Sequence, residues 1–197
     1  GVKIIARTGL VPDWARPKDT TFNYIDEDGL PHFAEFVADF AERYAGRIDH
    51  IIIWNEPNLA FEWGFLPTDP KRYVDMLKLV YEPLHQANPN ITVLAGALAP
   101  TLEPVGSPNG LDDLLYLQGM YEMGAKNYFD ALAIHTYGFT TPPDAPPDPR
   151  QLNFRRAELL REVMVEYGDE NKPVYITESG WNDNPRWTQG VRPSQRT

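Results

Sequence analysis

Two glutamates stand where a carboxylate needs a reason to be. In Ile51-Ile52-Ile53-Trp54-Asn55-Glu56-Pro57-Asn58 and in Val174-Tyr175-Ile176-Thr177-Glu178-Ser179-Gly180-Trp181, an apolar run leads to a Glu, and a proline or glycine then turns the chain away. An ionised carboxylate beside apolar neighbours is costly unless it is paired or hydrogen-bonded. Each Glu alone reads equally well as a loop cap or an ion-pair partner. Brought to one face of one sheet, the two are the pair that glycoside cleavage requires. One carboxylic acid protonates the leaving oxygen and one carboxylate attacks the anomeric carbon, about 5 to 5.5 Å apart in the retaining case. An ionised Glu178 would hold Glu56 toward its protonated form, and glycosylation of Glu178 would release Glu56 to act as base toward water.

The two glutamates lie 122 positions apart, so the elements between them must return the chain to the same face. Short apolar runs alternate with segments of helical period, the pattern of βαβ units around a parallel sheet. The strands are expected at Val2 to Ala6, His50 to Trp54, Thr92 to Ala97, Ala131 to His135 and Val174 to Thr177. They are apolar on successive positions, as suits a sheet covered on both faces. A first helix has Pro31 in its first turn and Phe33, Phe36, Val37, Phe40, Ala41 and Tyr44 at helical spacing, with Gly46 after its end. A second starts with Thr68 as N-cap and stops at Asn88-Pro89, a third runs from about Leu111 to Met123, and a fourth has Asn153 as N-cap. Parallel strands carry their carboxyl ends, and with them both glutamates, to one face. The loop from Phe139 to Arg150, with five prolines, follows a strand and reads either as a long connection or as a stiff wall on that face.

With the residues around the glutamates added, the sequence resembles the clan A glycoside hydrolases, families 5 and 39 among them. Trp54-Asn55-Glu56-Pro57-Asn58 matches the clan's acid/base motif, and Ile176-Thr177-Glu178-Ser179-Gly180-Trp181 is similar to its nucleophile motif. The resemblance implies a (β/α)8 TIM barrel, with Glu56 as acid/base after strand 4 and Glu178 as nucleophile after strand 7. It implies that Asn55 bonds the sugar 2-hydroxyl, that His135 and Tyr137 border the carboxylates, and that Tyr137 donates to Glu178. Trp181 and Trp14 are candidates to stack on sugar rings, with Trp63 and Trp187 behind them, and Arg7 ends the first strand on the active face. Numbered this way, the strands are 3 to 7 of a barrel that needs eight in about 250 residues, so residues 1–197 are expected to be one partial barrel domain from a longer protein. The clan's Arg near the end of strand 2 and its Trp on strand 8 would then fall outside the chain. The exposed edges of such a sheet invite self-association.

Composition narrows the alternatives. A formal charge of -10 repels polyanions, so nucleic acid is not an expected partner. No apolar run approaches the roughly 20 residues of a membrane-spanning helix. Without cysteine there are no disulfides, and the compartment stays open. The histidines at 32, 50, 85 and 135 show no metal-ligand spacing, there is no phosphate-cradling glycine loop and no Gly-x-Ser-x-Gly elbow, so neither metal nor cofactor is expected. The expected activity is retaining hydrolysis of β-linked oligo- or polysaccharides. The rival readings are a carbohydrate-binding barrel remnant without turnover, an exo-acting β-glycosidase rather than an endo-glycanase and, more remotely, a proton-abstracting isomerase.

Overall fold

The computed structural model describes residues 2–183. Five strands, β1 (Ile5–Thr8), β2 (His50–Ile53), β3 (Thr92–Leu98), β4 (Ala131–Tyr137) and β5 (Val174–Gly180), form one sheet in the order β1-β2-β3-β4-β5. Every neighbouring pair is parallel. Each strand pairs with the next in sequence and the order never reverses, which is the progression of a (β/α)8 barrel rather than of a doubly wound sheet. The chain is therefore a partial barrel.

Helices α1 (Gly29–Arg43), α2 (Pro70–Ala87), α3 (Asp113–Glu122) and α4 (Arg156–Glu166) make the crossovers. Their inward faces and the outward face of the sheet share a core that contains Val37, Ile51, Ile53, Leu77, Val93, Met120, Leu132 and Leu160. A smaller cluster of Ile52, Leu94, Ala97, Ala131 and Ala133 fills the concave face. The central strands are buried on both sides, as their unbroken apolar runs require.

Several boundaries differ from the sequence reading, each for a physical reason. β1 begins at Ile5 instead of Val2, because its register with β2 starts at Ile5 opposite His50, and Val2 is 94% exposed with no strand beside it. β4 and β5 run on to Tyr137 and Gly180, because they continue to pair past a bulge. The buried stripe of α1 is Leu30, Phe33, Ala34, Val37 and Ala41. Phe36, Phe40 and Tyr44 instead form an aromatic row along its flank. Asp69, not Thr68, caps α2: the residue before Pro70 is held extended (φ -134°, ψ 101°), and its carboxylate accepts from the Lys71 amide at 2.9 Å. Asn153 lies before α4 and does not cap it; its buried amide donates to the Pro146 carbonyl at 2.9 Å and pins the proline-rich loop.

The outer strands differ from the inner ones. Ile5 on β1 and Ile176 on β5 are 38% and 45% exposed. No helix among the described residues is long and apolar enough to cross a membrane.

Candidate active site

Glu56 sits on a strained backbone. Past the end of β2, Trp54 (φ 72°) and Glu56 (φ 44°) both occupy the left-handed region, which costs a residue with a Cβ of order 1 to 3 kcal/mol. The surroundings hold them there. The buried Trp54 indole packs edge-on against Phe33 and Trp63 and donates to the Glu62 carbonyl at 2.7 Å. The Glu56 amide donates to the Ala97 carbonyl. Two residues on, the fully buried side chain of Asn58 accepts from the Ala99 amide at 2.9 Å and donates to the carbonyls of Ala99 and Leu111 at 2.9 and 3.2 Å. The turn that carries Glu56 is thereby clamped to the end of β3.

Glu178 is placed by a bulge. Ile134 pairs with Ile176, yet His135 pairs with Glu178, so Thr177 is an extra residue on β5. Such a bulge re-aims the side chains that follow it and is common at the rims of barrels. It sets Glu178 opposite His135, with Tyr137 opposite Gly180.

These devices converge. One carboxylate oxygen of Glu56, one of Glu178 and a ring nitrogen of His135 lie within 4.8 Å of one another. His135, buried to 1% exposure, holds its Nδ1 2.7 Å from Glu56 Oε1 and 3.7 Å from Glu178 Oε2. The Tyr137 hydroxyl donates to Glu178 Oε2 at 2.6 Å. Arg7 Nη1 donates to Glu178 Oε1 at 3.0 Å and to Asn55 Oδ1 at 2.7 Å. Four strands thus supply one network, with Arg7 from β1, Asn55 and Glu56 from beyond β2, His135 and Tyr137 from β4, and Glu178 from β5.

The electrostatics separate the two carboxylates. Burial raises the Glu178 pKa, but the Tyr137 hydroxyl, the His135 charge and the Arg7 guanidinium outweigh it and hold the group below the ordinary glutamate value. Burial and the bond to Glu178 push the Tyr137 hydroxyl well up, so it remains a donor. Beside Glu56, the imidazole nitrogen can donate to the carboxylate or accept from the carboxylic acid, so one contact serves both protonation states. A cavity of about 380 Å³ lined by Ile5, Arg7, Ile52, His135, Ile176, Thr177 and Glu178 opens beside the pair.

Glu56, His135 and Glu178 also form a group of three potential cation ligands, which no spacing in the sequence announces. The two Glu178 oxygens already accept from a guanidinium and a phenol, and the Glu56 oxygen faces an imidazole. A cation there would have to displace or repel the adjacent Arg7.

The tryptophans behave differently from one another. Trp181 donates its indole N–H to the Thr141 carbonyl at 2.7 Å, tilts against Phe154 and lies directly on Gly138, leaving 37% of the residue exposed. Trp14, on a short turn (Asp13–Ala15) after β1, is 88% exposed and outside the hydrogen-bonded network. Trp63 is core, packed on Trp54 and Tyr73. Trp187 lies outside the described residues.

One residue was missed. Glu62, in the turn Phe61–Trp63, returns to the site within reach of the Asn55 amide. An acidic residue between two aromatic ones, six positions after Glu56, was the available signal.

No protein-family model matches the chain, and no curated protein sequence does. Solved structures do. A family 39 glycoside hydrolase from the gut symbiont Bacteroides cellulosilyticus WH2 is similar at 24% identity and a TM-score of 0.57, over 80% of this chain and 31% of its own. A glucosidase from Croceicoccus marinus gives 15% identity and 0.68, over 95% and 36%. A monomeric beta-xylosidase from Caulobacter crescentus CB15 gives 17% and 0.63, over 92% and 38%. At these identities the likeness shows the fold, and the chain spans about a third of the length of each neighbour.

Proposed function

We propose that this chain carries the catalytic pair of a retaining glycoside hydrolase acting on β-linked oligo- or polysaccharides. The observation that carries the reading is the approach of Glu56 and Glu178 to within 4.8 Å, with donors arranged to keep Glu178 ionised. An inverting enzyme spaces its carboxyl groups at about 6.5 to 9.5 Å to leave room for a water. The close approach of the two oxygens supports the retaining arrangement.

In the proposed reaction, a Glu178 oxygen forms a bond to the anomeric carbon as the bond to the leaving oxygen breaks, and Glu56 gives that oxygen its proton. In the second step Glu56 takes a proton from water, the water oxygen attacks the anomeric carbon, and Glu178 leaves as carboxylate. In this reading Asn55, with its Oδ1 held by Arg7, serves the sugar 2-hydroxyl through an amide N–H. Trp181 and the proline-rich loop offer an apolar wall, which favours endo action on a longer chain. The solved neighbours include a glucosidase and a beta-xylosidase, so neutral β-glucosides and β-xylosides are the first substrates to try.

Replacing Glu178 by Gly is expected to lower kcat by roughly 10⁴-fold or more. Replacing Glu56 by Ala is expected to spare dinitrophenyl glycosides, whose leaving groups need no proton, while slowing alkyl glycosides. A Glu178→Gly protein with unchanged rate on an aryl glycoside would remove the nucleophile assignment. A carbohydrate binder without turnover would show affinity and release no reducing ends from β-glucan, mannan or xylan.

A further inference from the structure

A second, smaller cavity of about 160 Å³ lies between the loop after β1 and the turn after β2. It meets the catalytic network through Arg7 and Asn55, which line this cavity and bond within that network. One wall is apolar: Leu10 and Phe22 are 68% and 48% exposed and line the hollow together. The other wall is Glu62. Its backbone is fixed from both sides, since its carbonyl accepts from Trp54 and the neighbouring Phe61 carbonyl accepts from the buried Asn23 amide at 3.2 Å.

Among the described residues the Glu62 carboxylate makes no ion pair, and Arg7 acts on it only from beyond ion-pair distance. The Arg7 guanidinium is committed to Glu178 and Asn55, and Glu62 is left with the Asn55 amide as its neighbour. Burial pushes the Glu62 pKa up, the Asn55 amide and the Arg7 charge pull it back, and Glu56 and Glu178 push it up again. A carboxylate offers about four acceptor positions, so most of those on Glu62 are open to hydroxyl donors. An acceptor opposite an exposed ring suits a pyranose, which has a C–H face and a rim of hydroxyls.

We propose that this cavity is a sugar subsite beside the cleavage point, in which Glu62 accepts hydrogen bonds from sugar hydroxyls and selects neutral sugars over uronic acids. The inference rests on the glycoside reading of the adjoining pair. A sugar carboxylate entering here meets Glu62 beside Arg7, with Glu56 and Glu178 close enough to act on the same place, and close like charges cost several kcal/mol. A neutral hydroxyl in the same place gains a charge-assisted bond.

The test compares cellobiose with its uronic acid, glucuronosyl-β-1,4-glucose, which differs only at carbon 6 of one ring. Calorimetric titration at pH 7 is expected to show wild type binding cellobiose at least tenfold more tightly than the acid. In Glu62→Gln, cellobiose should weaken and the acid should strengthen, so that the preference falls about tenfold or more. A merely structural role for Glu62 would move both sugars alike. An unchanged preference in Glu62→Gln, or no binding of either sugar by wild type, overturns the proposal. Hydrolysis of dinitrophenyl glycosides by the same samples reads the catalytic proposal separately: turnover with an unchanged preference sinks only the subsite, and a changed preference without turnover sinks only the hydrolase.

Discussion

At the scale of single residues, the site works by giving two identical side chains different surroundings. Glu178 accepts from Tyr137 and Arg7, and both bonds favour its charged form. A carboxylate whose pKa lies below 4.5 stays ionised as the pH falls through the ordinary glutamate range and loses its charge only below it. The acid limb of kcat/KM is therefore expected to lie below pH 4.5. Tyr137→Phe removes a donor to the charged form, so the Glu178 pKa rises and the acid limb moves to higher pH; a pH–rate profile on a dinitrophenyl glycoside checks this. A limb that stays in place would show that the hydroxyl does not stabilise the ionised nucleophile. Glu56 and Glu178 were legible in the sequence because each follows an apolar strand and precedes a chain-turning residue. Glu62 was not, because its place depends on a short turn folding back onto Asn55.

At the scale of elements, what matters is how strand ends are held. The left-handed Trp54 and Glu56 persist because Asn58 ties the following turn to Ala99 and Leu111. Asn58→Ala leaves buried backbone groups without partners and is expected to cost about 1 to 3 kcal/mol. Because the strain it opposes lies at Glu56, kcat should fall by more than thermal stability alone explains, which assays well below the melting temperature would show. The order of strands and helices could be read from apolar runs and helical spacing. The bulge at Thr177 could not, since a one-residue offset between Ile134 and His135 leaves no mark in composition, yet it decides which side chain faces His135. The start of β1 differs for a related reason: Val2 and Ile4 extend the apolar pattern toward the amino end, but pairing begins only at Ile5, opposite the first residue of β2.

At the scale of the whole molecule, the partial barrel is held on its outer layer by a buried ionic cluster as well as by apolar packing. Arg156 at the start of α4 is fully buried against Asp113 at the start of α3, with Nη2 2.6 Å from Asp113 Oδ1 and 2.8 Å from Asp112 Oδ2. It also donates to the Pro149 carbonyl, so it joins two helices and the proline-rich loop. Arg156→Met strands a buried Asp113 and is expected to cost about 3 to 5 kcal/mol, read by denaturant titration. A much smaller loss would mean that Asp113 finds another partner. In the proposed reaction this framework holds Glu178 within reach of an anomeric carbon while Glu56 stands opposite. Incubation with 2,4-dinitrophenyl 2-deoxy-2-fluoro-β-glucoside or -xyloside, followed by peptide mass spectrometry, tests that claim most directly. One fluoroglycosyl group is expected on the peptide that contains Glu178, and an adduct on a different residue, or product released with inverted configuration, would contradict that assignment.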